Sequence, residues 1–177
     1  GGLMPDTQDT YDAIRLIPVL GSLDQIHTWK QYCDRLDRPL PCDIHADTGM
    51  CRLGLPPDEL AKLEIEPGRV DSLNINLVIS HLACADEPDH PKNTEQLDAF
   101  RHVRKVLPQG RASLANSSGI FLGSDYHYDL ARPGAALYGI APVPGRANPM
   151  AQVIRLQVKI AQVRGVDTPE TVGYGAT

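Results

Sequence analysis

The sequence has no run of about 18 apolar residues, the length a membrane-crossing helix needs, and so no span is expected. It has no CxxC pair. Cys33, Cys42, Cys51 and Cys84 are scattered through helix-like and strand-like apolar stretches, which excludes a zinc ribbon and argues for reduced thiols rather than disulfides. Cys51, beside Arg52, is the thiol expected to be reactive. Basic residues are in deficit: the net charge of −5 excludes the clustered Lys and Arg face that nucleic acid requires. There is no internal repeat and no low-complexity tract. The opening Gly1-Gly2-Leu3-Met4 is neither an initiator context nor a signal peptide, and it reads as an internal cut.

What is present is an ordinary globular composition, 42% apolar and 22% charged, with strand-like and helix-like segments in alternation. That alternation predicts βαβ units and a parallel sheet. Ser22 followed by Gln25 is a capping box. Behind it Ile26, Trp29, Cys33 and Leu36 recur at helical spacing, which predicts an amphipathic helix over 23–36. Pro39 and Pro41 precede a short strand, Cys42-Asp43-Ile44-His45-Ala46, and Pro56, Pro57 and Asp58 open a helix through Leu63. Residues 73–84 read as a strand buried on both sides. Asn93 is expected to cap a helix whose Leu97, Phe100, Val103 and Leu107 face the core, with further strands at Arg111 to Ser117 and Tyr128 to Arg132.

From about residue 143 the texture changes. Pro142, Pro144, Gly145, Asn148 and Pro149 form a linker, and Val153 to Ile160 alternates like a half-exposed strand. The expectation is two units, 1–142 and 143–177. A complete (β/α)8 barrel takes about 200 residues or more, and about five or six strand–helix units fit in the first unit. The fold class is therefore α/β, either a partial TIM barrel followed by the first strands of a β-rich domain or a smaller open sheet. The interrupted ends favour the barrel.

Candidate chemistry gathers in five blocks. Asn116-Ser117-Ser118-Gly119 and Arg132-Pro133-Gly134-Ala135 each leave a strand and lie a short loop apart. This suits the phosphate site found after late strands of a barrel. A dianion there needs converging N–H and O–H donors, with glycine allowing close backbone approach. Upstream lies Asp47-Thr48-Gly49-Met50-Cys51-Arg52-Leu53-Gly54, where a guanidinium can grip a carboxylate or pair with Asp47. Ser80-His81-Leu82-Ala83 ends the apolar strand at its carboxyl side, and Gly173-Tyr174-Gly175 exposes an aromatic on a loop.

Together with Leu16-Ile17-Pro18-Val19-Leu20 and Ala136-Leu137-Tyr138-Gly139, these blocks resemble alanine racemase across nearly the whole chain. The resemblance implies a pyridoxal 5'-phosphate enzyme interconverting L- and D-alanine. It implies a cytoplasmic homodimer with a shared active site, supplying D-alanine for peptidoglycan. It makes Tyr174 catalytic, acting in the partner's site, and gives Arg52 to substrate and cofactor contact. It also assigns His81, Asn116, Ser117, Arg132, Gly134 and Ala135 to the cofactor, and implies no metal. In that role Arg132 faces the ring nitrogen. Arginine only donates, so the ring stays a weak electron sink, and rapid reprotonation at Cα is favoured.

Two departures qualify the resemblance. Lys30, Lys62, Lys92, Lys105 and Lys159 all lie outside the family's Schiff-base lysine context, a segment expected to precede residue 1, and so the chain as it stands is expected to be inactive alone. His45 stands where many members carry a carbamylated lysine. Rival readings are a racemase of another amino acid, a non-catalytic pyridoxal-phosphate-binding protein, and some other phosphate-binding barrel.

Overall fold

The structure is a computed structural model and describes residues 2–107 and 109–175. Its centre is a parallel sheet of four strands, β1 (Val19–Leu20), β2 (Pro41–His45), β3 (Asn74–Ile79) and β4 (Arg111–Ser113). Helix α1 (Gln8–Ala13) leads in, and α2 (Leu23–Arg35), α3 (Pro57–Ile65) and α4 (Lys92–Val106) make the three crossovers. The strands lie in chain order, β1-β2-β3-β4, all pairs parallel.

That order distinguishes the architectures the sequence left open. A doubly wound sheet reverses direction and covers both faces with helices. Here every crossover steps the same way, and crossovers of one hand put their helices on one side. The core accordingly lies on one face: Leu20, Ile44, Val78, Ala112 and Leu114 pack with Ile26 and Trp29 of α2, Leu60 and Leu63 of α3, and Phe100 and Val103 of α4. On β2, Cys42, Ile44 and the following Ala46 are fully buried, while Pro41, Asp43 and His45 are half-buried on the other face. This is a partial (β/α)8 barrel, with one side of each strand under helices and the other towards the barrel interior.

Register orders that interior. Asp43 aligns with Leu77 and Arg111, and one layer up His45 aligns with Ile79 and Ser113. A bulge between Cys42 and Asp43 displaces Asn76, whose Nδ2 donates to Asp43 Oδ1 at 2.8 Å. Burial pushes the Asp43 carboxyl up, against that hydrogen bond and the Arg111 charge.

The helices start close to expectation. Ser22 caps α2, its Oγ accepting from Gln25 N at 3.2 Å, while Gln25 Oε1 takes the Gly21 amide. Tyr32 is buried on that helix instead of Leu36, because α2 ends at Arg35 and Leu36 turns outward. Asn93 does not cap α4. It lies inside the first turn and donates to the Glu87 carbonyl, and His90 Nδ1 accepts the Lys92 amide in its place.

Four strand expectations change, the first being Arg111 to Ser117, which pairs only over Arg111–Ser113 before the chain leaves the sheet. Of residues 73–84 only Asn74–Ile79 is strand, and after one more bond from Ser80 N to Ser113 O the chain turns into the loop bearing His81. Tyr128 to Arg132 runs beside the β4 segment, Asp129 N donating to Ala112 O and Arg132 N to Ala115 O. It forms no strand, since two isolated contacts make no ladder and Pro133 has no N–H to extend one. Val153 to Ile160 is exposed and unpaired, because an alternating segment becomes a strand only against a neighbour. Among the described residues no strand lies beyond β4. No described helix is long and apolar enough to cross a membrane.

Candidate active site

The loops that follow β1 to β4 open at one end of the sheet, the end where barrel enzymes place their chemistry. Gly21, His45, Leu53, Gly54 and Ile79 line a cleft of about 230 Å³ there. Of the sequence blocks, Asp47–Gly54 contributes to its lining through Leu53 and Gly54.

Arg132 is the centre of the cluster. Its guanidinium donates through Nη1 to Ser113 Oγ and through Nη2 to the Ser80 carbonyl. Ser113 is in the interior layer with His45, so Arg132 spans the ends of β3 and β4. The Ser113 hydroxyl, accepting from Arg132, donates its own hydrogen bond to Leu130 O at 2.5 Å. Burial pulls the Arg132 pKa below the ordinary guanidinium value. Arginine stays charged all the same, and the site carries a fixed, largely desolvated cation.

Two histidines face that cation. Burial lowers the His81 pKa, and the charges of Arg132 and Arg52 lower it further. His45 is pushed down to about 4, by burial first, then by Arg132, His81 and Arg52, with Asp47 opposing. Both imidazoles are therefore neutral at pH 7, when each can donate with one nitrogen and accept with the other.

The Asp47–Gly54 loop brings Arg52 to the rim. Asp47 Oδ1 accepts three backbone amides, Gly49 at 2.9 Å, Met50 at 3.0 Å and Cys51 at 3.1 Å. The expected alternative, Asp47 pairing with Arg52, is absent: no carboxylate among the described residues pairs with Arg52, which is exposed. Gly54 closes the loop at φ 109°, where an added Cβ would sit 2.8 Å from Asp47 N.

Ser117, Gly134 and Ala135 come together on the far side of Arg132. The Ser117 hydroxyl accepts from Gly134 N at 2.9 Å and from Ala136 N at 3.1 Å. Gly134 is exposed, and an added Cβ there would meet nothing within 4 Å. Asn116 turns inward instead: its Oδ1 takes the Gly119 amide at 2.9 Å and its Nδ2 donates to Leu82 O at 3.2 Å. It ties the loop after β4 to the loop after β3. Tyr174 is fully exposed, away from the cluster.

The sequence reading missed Ser113, Thr48, Ser80 and Gln96, all buried polar groups beneath the site. The signal for one was present. Asn93, Gln96, Leu97, Phe100 and Val103 share the buried face of α4, and a glutamine on that stripe requires buried partners.

The strand ends of this one-sided β/α barrel gather a half-buried arginine, two neutral histidines and a serine hydroxyl that takes two backbone amides. Residues 1–142 match the family model described as alanine racemase, N-terminal domain, and the chain belongs to that family. An alanine racemase of Rhodospirillum rubrum is 57% identical over 162 residues, 92% of this chain and 43% of that protein. A catabolic alanine racemase of Mesorhizobium japonicum is 49% identical, over 98% of this chain and 46% of that protein. The chain thus spans less than half the length of these curated relatives. Among solved structures, alanine racemase from Bartonella henselae with covalently bound pyridoxal phosphate superposes with a TM-score of 0.81. It is 38% identical over 85% of this chain and 44% of that one. The biosynthetic alanine racemase from Pseudomonas aeruginosa gives 0.82 at 31% identity, over 99% of this chain and 49% of that one.

Proposed function

We propose that the full-length protein is a pyridoxal 5'-phosphate-dependent alanine racemase, an isomerase interconverting L- and D-alanine. The observation that carries this reading is the donor set: the Gly134 and Ala136 amides converge on the Ser117 hydroxyl, and the half-buried Arg132, two residues before Gly134, anchors the start of that turn on Ser113 and Ser80. Two N–H groups already aimed at one oxygen are the chemistry a phosphate oxygen requires. The residues fit the group.

Ser117, Gly134 and Ala135 would hold the phosphate, Arg132 and His81 the ring, and Asn116 the loop between them. When bound, the cofactor supplies an electron-withdrawing ring that acidifies the Cα proton of an amino acid. Arg132 donates and cannot accept, so it would orient the ring without protonating it. Neutral His81 would link that guanidinium to a proton carrier. Tyr174 would be that carrier, moving a proton at its Oη within the site of a second copy, and Arg52 would orient the substrate carboxylate. The same reading carries a homodimer, a cytoplasmic location, a supply of D-alanine for peptidoglycan and a domain division at 142/143.

The test is D-alanine formation from L-alanine by the full-length protein loaded with pyridoxal phosphate. Steady turnover supports the reading. Turnover of serine or lysine with silence towards alanine overturns the substrate, and failure to bind pyridoxal phosphate overturns the whole. Tyr174→Phe is expected to abolish turnover while leaving cofactor binding intact.

A further inference from the structure

Gln96 is the largest polar side chain with no solvent exposure, and it sits on α4 directly behind the strand ends. Its amide is used at both ends. Oε1 accepts the Ala83 amide at 2.8 Å, and Nε2 donates to the His81 carbonyl at 2.9 Å. These two backbone groups flank Leu82, and so the side chain pairs with the His81 loop as a neighbouring strand would. The two contacts also fix which end of the amide is oxygen, since Ala83 can only donate and the His81 carbonyl only accept.

The network continues. Gln96 Nε2 also reaches Thr48 Oγ1 at 3.4 Å, and Thr48 Oγ1 lies 2.7 Å from Ser80 Oγ. The Ser80 carbonyl in turn receives Arg132. One buried amide therefore joins the loop after β2, which carries Arg52, to the loop after β3, which carries His81 and the anchor of Arg132. The Asn116 amide holds Leu82 O from the other side. Backbone rigidity at His81 comes from two side chains outside its own loop.

We propose that Gln96 is a positioning residue that sets the direction of the His81 imidazole against Arg132. It touches no reacting group. Loops after barrel strands are the movable part of such folds, and a misplacement of about 1 Å at a reacting constellation costs about a hundredfold in rate. A buried group with both ends committed is the device that prevents it.

The inference rests on the racemase reading, and its test separates the two. In the full-length, cofactor-loaded protein, Gln96→Leu removes all three contacts, and Gln96→Glu keeps the acceptor for Ala83 while losing the donors. Per folded molecule, kcat is expected to fall about tenfold or more in Gln96→Leu, with KM for alanine within about twofold and Gln96→Glu between. The Ala83 amide is expected to exchange with solvent about tenfold faster in Gln96→Leu. The His81 imidazole resonance is expected to move in both variants. A lowered melting temperature with kcat, Ala83 exchange and His81 resonance unchanged overturns the proposal. If the wild-type protein forms no D-alanine, the racemase reading fails. The exchange rate and the His81 resonance then decide the role of Gln96 alone, and Gln96→Glu supplies the answer where Gln96→Leu does not fold.

Discussion

Ser117 and Gly134 are 17 residues apart in sequence and are joined by a 2.9 Å hydrogen bond in which the glycine amide donates to the serine hydroxyl. A second amide, Ala136, donates to the same oxygen. The turn entering the short 3₁₀ segment Ala135–Tyr138 is thus held open towards one point.

Ser117→Ala removes that point. Hydrogen bonds to a charged group contribute about 1.5–3 kcal/mol, so affinity for pyridoxal phosphate in the full-length protein is expected to weaken about tenfold to a hundredfold. Equilibrium dialysis against the cofactor measures it. Unchanged affinity would remove Ser117 from the phosphate site.

Arg132→Met leaves the Ser80 carbonyl and Ser113 hydroxyl without their donor. Stability is expected to drop by about 1–3 kcal/mol in denaturant titration. The His81 pKa, followed by NMR, is expected to rise, because one of the two cations that depress it has gone. A downward or absent shift would show that the two groups do not interact.

His45 gives a pH dependence with a definite sign. Its folded pKa of about 4 lies below the ordinary 6.5, so between those values the unfolded chain binds the proton more readily. Stability is expected to fall as pH drops from about 6.5 to about 4, by roughly 2 kcal/mol once screening at a half-buried site is allowed for. His45→Gln should flatten this limb. Denaturation midpoints across that range measure it, and an equally steep limb in the variant would assign the effect elsewhere.

Phe100 is fully buried and meets Tyr128 edge to face, with ring centroids 5.0 Å apart. Phe100→Ala is expected to cost about 3–5 kcal/mol of stability, from lost burial and the void it leaves. A loss under about 1 kcal/mol in the same titration would mean that α4 is not fixed by this contact.

Much of this was legible beforehand where a residue's role is local. Ser22 capped its helix as expected, and Leu97, Phe100 and Val103 face the core because helical spacing alone aligns them. The site blocks were legible through their order along the chain. Local signals failed wherever a competing partner lay elsewhere. Asn93 looked like a cap but had the Glu87 carbonyl to serve; Pro91 stands at the cap position, and the Lys92 amide goes to His90 Nδ1. Val153 to Ile160 alternates correctly and still forms no strand, since pairing depends on a neighbour that the local pattern cannot supply. Gln96, Thr48 and Ser80 were passed over because single polar residues in apolar stretches announce burial only once their partners are known.

Side chains along β2 alternate between its two faces. Ile44 and His45 are adjacent in the chain, yet one lies under the helices and the other lines the cleft. Neighbouring codons therefore answer to unrelated demands, one for persistence of the scaffold and one for reactivity. Exchanging the cleft-lining side chain leaves the helix-facing packing of its neighbour in place, so the chemistry at the strand end can be altered without rebuilding the scaffold.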